Sequence, residues 1–196
     1  MTTPLPSLRE RSKAKRRRAI QRAALQLFGE RGYDGATIAD IADAAEVAPR
    51  TVSMYFPTKF DIAMSLSNDL ADRLTSAFDR FPELSFSDVV DRWIVAEIES
   101  AEPDFAAVVS AMYAANPALR AASTNNIDRA ADVGGAALVA ETGLAPEDPM
   151  VQIVAAAVGA ALTRYLTAAL QAPSTRDGHE SFMRYLRAII NAARPV

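Results

Sequence analysis

Side chains able to read another molecule are crowded into one short stretch of this chain. Between Thr37 and Lys59 the sequence runs TIADIADAAEVAPRTVSMYFPTK, and its second half carries Arg50, Thr51, Ser53, Met54, Tyr55 and Lys59 within ten residues. A guanidinium can fork onto the N7 and O6 acceptors of guanine, while hydroxyl and ammonium groups bond phosphate oxygens. This is the chemistry of recognition. Bond-breaking chemistry has little to work with. The single histidine, His179, stands beside Asp177, Gly178 and Glu180 at an expected helix start and reads as part of a solvated turn. There is no cysteine, no histidine cluster, no phosphate-cradling glycine loop and no nucleophile elbow. The carboxylate pairs Glu97 with Glu99 and Glu147 with Asp148 are too close in sequence to face one another on a helix. No catalytic residue, metal site or cofactor is expected.

The recognition groups need a rigid platform, and the same stretch supplies it. Ile38, Ile41, Ala42 and Ala45 recur at helical spacing and define one buried stripe. Thr37 precedes that stripe with Asp40 three residues on, the pattern of a capping box that satisfies the first backbone N–H groups of a helix. Pro49 cannot continue this helix but fits the first position of another. A second helix is therefore expected from about Pro49 to Phe56, stopped by Pro57, and Thr58 with Asp61 caps the next one. Two short helices joined by a tight turn form a helix-turn-helix. At about 100° per residue, Val52, Phe56 and Pro49 share the inward face of the second helix. Arg50 and Met54 fall opposite, with Thr51 and Ser53 on the flanks, so the outward face is short, polar and cationic. Lys59 sits in a first helical turn, where the macrodipole disfavours a cation unless a phosphate docks beside it.

These residues resemble the DNA-binding domain of the TetR/AcrR family of transcriptional regulators. The likeness rests on Ala23-Ala24-Leu25-Gln26-Leu27-Phe28-Gly29-Glu30-Arg31-Gly32-Tyr33, on Thr37-Ile38-Ala39-Asp40-Ile41-Ala42, on Thr51-Val52 and on Tyr55-Phe56-Pro57-Thr58-Lys59. It spans about residues 13 to 66 and implies phosphate contacts by Tyr55 and Lys59. The DNA-contacting set expected here is Thr37, Arg50, Thr51, Ser53, Met54, Tyr55 and Lys59. Two positions depart from the family pattern: Glu46 stands where a turn glycine is usual, and Ser53 where a tyrosine is frequent. A non-glycine residue held at positive φ costs on the order of 1 kcal/mol.

Charge divides the chain in the same place. Residues 1 to 66 carry 11 Lys and Arg against 7 Asp and Glu, while residues 67 to 196 carry 10 against 17. Eight basic residues and one acid lie between Arg9 and Arg22. Such a run is either a solvated helix face or, beside a helix-turn-helix, a phosphate-contacting helix with an arm that enters the minor groove. The expected organisation is a flexible basic tail over 1–12, a DNA-binding domain over 13–66, and an effector-binding and dimerisation domain over 67–196. The first long helix is capped by Ser7 or Ser12, buries Ile20, Ala24, Leu27 and Phe28, and ends at Gly32 in the left-handed conformation. A connecting helix from about Thr58 to Phe81 joins the two domains.

Downstream, prolines and glycines punctuate helix after helix, near Phe86 to Ser100, Pro103 to Ala114, Pro117 to Glu141, Pro149 to Gln171 and Gly178 to Ala193. The fold class is all-α. No signal peptide is expected, and the longest uncharged stretch, Pro149 to Thr163, is 15 residues against the roughly 20 of a membrane helix. A cytoplasmic protein without a membrane partner follows. Ile153, Val154, Ala157, Val158, Ala161, Leu162, Tyr165, Leu166 and Ala169 form a stripe wider than one neighbour buries, and Phe182, Leu186, Ile189 and Ile190 form another. These suit an interior helix pair of a monomer or, as the resemblance implies, a homodimer through the last two helices. A dimer presents two recognition helices to a palindromic operator in double-stranded DNA.

The resemblance also implies a small-molecule effector within the second domain. Trp93, Glu97, Phe105, Met112 and Tyr113 are the candidate contacts, and the same residues suit ordinary core. Glu97 either meets a polar group of the ligand or reaches solvent. The expected mechanism is a population shift: a mostly apolar ligand favouring the form with misplaced recognition helices draws a repressor off its operator. The alternatives are a helical protein-interaction scaffold and a DNA binder without an effector.

Overall fold

A computed structural model of the chain describes residues 7–123, 134–171 and 176–195, and among them there are helices and no strands. Helix α1 spans Leu8–Gly35, α2 Ile38–Ala44, α3 Pro49–Tyr55, α4 Lys59–Arg80, α5 Phe86–Glu99 and α6 Pro103–Ala115. After a helical segment at 117–123 come α7 Gly135–Thr142, α8 Pro149–Gln171 and α9 Arg176–Ala192. The helix expected from Pro117 to Glu141 is therefore helical at its beginning and end, and residues 124–133 lie outside the described residues. The last helix begins two residues before the expected Gly178.

Two compact units emerge. One holds the residues through Leu66 together with Val108–Arg120, and the other holds Ser67–Ala107 and the residues from Ala121 on. Helix α4 passes from the first unit to the second after Leu66. Helix α6 passes back, because its last turns, assigned in sequence to the second domain, pack with the first.

In the first unit α1 starts at Leu8, capped by a reciprocal box between Ser7 and Glu10, so residues 8–12 of the expected tail are helical. Ile20, Ala24, Leu25 and Phe28 of α1 are fully buried, as are Ile41 and Ala42 of α2, Val52 of α3 and Ile62 of α4. Burial of each large apolar side chain contributes roughly 1.5–3 kcal/mol. One buried polar pair joins α1 to α4: Gln21 Nε2 donates to Ser65 Oγ at 2.8 Å, and that hydroxyl donates to the Ile62 carbonyl.

Gly32 does interrupt α1, but not in the left-handed helical conformation. Its φ of 75° and ψ of 162° belong to an extended region essentially reserved for glycine, so the helix is broken there and a further turn follows to Gly35.

In the second unit α9 packs on α8, α5 and α7. Its core gathers Leu74, Trp93, Ile94, Leu138, Val158, Leu162 and Leu186. Gly134 fits only as glycine, because a Cβ there would lie 2.6 Å from the Phe86 ring and 2.7 Å from that of Phe78.

Candidate nucleic-acid interface

Local sequence fixes the platform. The Thr37 side chain accepts from the Asp40 N–H at 3.1 Å, and the Asp40 carboxylate accepts from the Thr37 N–H at 2.8 Å. Those bonds to Thr37 hold the Asp40 carboxyl below the ordinary aspartate range. Helix α2 ends in a Schellman arrangement: the Val47 N–H reaches the Ala42 carbonyl at 2.9 Å and the Glu46 N–H reaches that of Asp43 at 3.1 Å. Glu46 occupies the left-handed position of that motif with a φ of 54°, the one non-glycine positive φ among the described residues. The turn is thus built as the family's glycine would build it, with a side chain where glycine is cheapest.

Helix α3 follows with Pro49 at its first position. Val52 and Phe56 are buried, whereas Arg50, Ser53 and Met54 are exposed, Met54 by 77%. Thr51 and Tyr55 are half-buried on the flanks. Pro49, expected inward, is exposed, because it precedes the turn that faces the core. The guanidinium of Arg17 lies 5.0 Å from the centre of the Phe56 ring, tying the basic face of α1 to the end of α3.

Lys59 takes a position that its sequence context does not reveal. Its ammonium donates to the Tyr33 carbonyl at 2.8 Å and the Ala36 carbonyl at 3.0 Å, 4.3 Å from the centre of the Tyr33 ring. Behind it, Thr58 and Asp61 form the expected capping box of α4. The cation that the macrodipole disfavours is compensated by carbonyls after the break in α1.

The effector candidates are divided. Trp93, Glu97 and Phe105 belong to the second unit and Met112 and Tyr113 to the first. Trp93 is buried, and its indole Nε1 has no hydrogen-bond partner in the structure. Glu97 is engaged: both its oxygens accept from Arg73, at 2.5 and 2.8 Å, a bidentate pair formed with α4. Phe105 and Tyr113 are half-buried, and Met112 is fully buried. A partly open cavity of about 560 Å³ lies elsewhere in the second unit, lined by residues including Phe78, Phe81, Leu84, Ala137 and Glu141.

His179 is not in a turn. It sits within α9, 15% exposed, with Nε2 2.7 Å from Asp91 and Nδ1 3.3 Å from the Tyr165 hydroxyl. Asp91 also accepts from Arg187. These groups clamp α5, α8 and α9 together. No residue pattern near His179 announces a partner 88 positions away.

Comparison with known proteins agrees with this architecture. The model of bacterial regulatory proteins of the tetR family matches residues 20–65, and that of the MftR C-terminal domain matches residues 89–193. The chain belongs to the TetR family of bacterial transcriptional regulators, with a C-terminal domain of the MftR type. A curated relative, the HTH-type transcriptional regulator TcmR of Streptomyces glaucescens, is 34% identical over 77 residues, covering 39% of this chain. The match spans only 34% of that relative's length. Among solved structures, the fatty acid degradation regulator FadR of Bacillus halodurans superposes with a TM-score of 0.59 at 17% identity, covering 89% of this chain and 93% of its own. FadR of Thermus thermophilus, a repressor crystallised with lauroyl-CoA, gives 0.56 at 20% identity, covering 92% and 95%. At these identities the structures speak to the fold.

Proposed function

We propose that this regulator is a homodimeric repressor that reads a palindromic operator through α3 and leaves it on binding a small, mostly apolar molecule. The observation that carries the DNA-reading part is the division of α3, with Val52 and Phe56 inward and Arg50, Ser53 and Met54 outward with no role in packing. Arg50 reads a base edge. Thr37, Thr51, Ser53 and Tyr55 position the helix on phosphates. Met54 offers an apolar contact to a thymine methyl group. Lys59 lends charge near the backbone while bracing α1.

Dimerisation rests on α8 and α9. Only 28% of the most apolar 18-residue window of α8 is buried in the single chain, although the helix is long and apolar enough by composition to cross a membrane. Ile153 is 58% exposed on α8 and Tyr185 59% on α9. A second copy covers these faces, and the protein works in the cytoplasm where its DNA lies.

The effector reading is supported by the apolar core around Trp93, whose unpartnered N–H suits a ligand carbonyl, and by the acyl-CoA bound to Thermus thermophilus FadR. Phe105 stays in the proposed set with Trp93. Substitution tests the assignment of α3: Arg50→Ala costs about 1–3 kcal/mol of operator affinity and relaxes preference at one base position. Equal losses on every sequence would overturn the role given to Arg50.

A further inference from the structure

Asn116 stands between the end of α6 and the helical segment that begins at Pro117, and its side chain reaches across 83 and 88 residues to α1. Its Oδ1 accepts the Tyr33 N–H at 2.7 Å. Its Nδ2 donates to the Phe28 carbonyl and to the Met112 carbonyl, both at 2.8 Å. The amide is buried.

One of these partners, the Tyr33 N–H, is a group that the broken helix leaves over. The conformation of Gly32 takes the Tyr33 N–H away from the Gly29 carbonyl it would meet in a continuous helix, and Phe28 lies in the last turn before the break. Asn116 therefore splints α1 at Gly32 from outside. The fit is close along the whole joint: a Cβ on Gly29 would come 3.2 Å from the Met112 backbone nitrogen. On the other side of the break, the carbonyl of the same Tyr33 receives Lys59, the first residue of α4. One peptide segment is thus held from the end of α6 and from the start of α4, which follows the recognition helix directly.

We infer that Asn116 is a positioning residue for DNA reading: it fixes the break in α1 to the end of α6 and so holds Tyr33, Lys59 and the base of α3 in place. The inference rests on the DNA-binding reading above.

Hydrogen exchange of the full-length protein, free and bound to a duplex from directly upstream of its own coding region, tests it. In the wild-type chain, DNA slows exchange in α3 and also at Tyr33 and in the last turn of α6. In Asn116→Ala the α3 protection on binding persists, the α6 response disappears, and affinity falls by about fivefold or more, the lower end of typical coupling factors. Gly29→Ala, which retains Asn116 but presses a Cβ onto the Met112 backbone at 3.2 Å, weakens the same α6 response if Asn116→Ala does not fold. An α6 response that survives in the folded variant, or one absent from the DNA-bound wild-type chain, overturns the positioning role alone. Failure of the wild-type chain to bind any DNA overturns the DNA-binding reading, and this inference with it.

Discussion

The ammonium of Lys59 and the backbone carbonyl of Tyr33 are 2.8 Å apart, and this bond joins the first turn of α4 to the segment that follows the break in α1. The helix-turn-helix lies between these residues in sequence, so the bond closes it at its base. A charged donor on two carbonyls is worth more than a neutral bond, and its loss leaves both carbonyls unpaired.

Lys59→Ala accordingly lowers stability by about 1–3 kcal/mol, allowing for one charged hydrogen-bonding group at a half-buried site. Operator affinity falls almost uniformly across DNA sequences, and the salt slope decreases by about one contact if the cation also faces a phosphate. Thermal unfolding and salt-titrated binding separate the two contributions: a lowered melting temperature with an unchanged slope leaves Lys59 as a brace alone.

Glu46→Gly relieves a left-handed conformation imposed on a residue with a Cβ. Stability rises by about 1 kcal/mol and the melting temperature by about 2–4 °C for a chain of this size. A fall on calorimetric unfolding would mean that the Glu46 side chain stabilises the turn by more than the strain it adds.

Asp40 makes the α2 cap sensitive to acid. Its carboxyl is held below the ordinary value of about 3.9 by its bonds to Thr37, so its stabilising contribution is present above that value. It is lost as pH falls through the lower value of the folded state. Unfolding of wild-type protein and Asp40→Asn, followed from about pH 6 to pH 3, shows a stability gap that closes on acidification. A gap constant over this range contradicts the capping role.

Which of these features can be read in the chain depends on how far apart the partners are. The Thr37–Asp40 and Thr58–Asp61 boxes and the inward Val52 and Phe56 are local, set by helical periodicity and capping chemistry, and the residues announce them. The positive φ of Glu46 is legible because a resemblance fixes which turn position it fills. The Lys59 bond to Tyr33, the Arg73 pair with Glu97, the Asn116 splint and the His179 clamp join residues 24 to 88 positions apart. Tertiary packing alone selects those partners, so a cation suited to phosphate and a glutamate suited to a ligand turned out to have partners inside the protein. The same limit hides the return of α6 to the first unit, since Val108–Arg120 is apolar enough to belong to either core.

The exposed faces of α8 and α9 predict their own test. Light scattering gives twice the chain mass at micromolar concentration, and Ile153→Glu combined with Tyr185→Glu shifts it toward the single chain by burying charge in an apolar interface. A wild-type monomer would refute the dimer, and a variant that stays dimeric would move the interface elsewhere.

The most direct test of the central claim is fluorescence anisotropy of the purified protein against labelled duplex from just upstream of its own coding region, with unlabelled competitor and a salt titration. A sequence-reading regulator binds tightly in the presence of competitor and weakens steeply with salt, log affinity falling by about 0.9 per phosphate contact for each decade of salt. Absence of binding even at low salt would contradict the role assigned to Arg50 and its neighbours on α3.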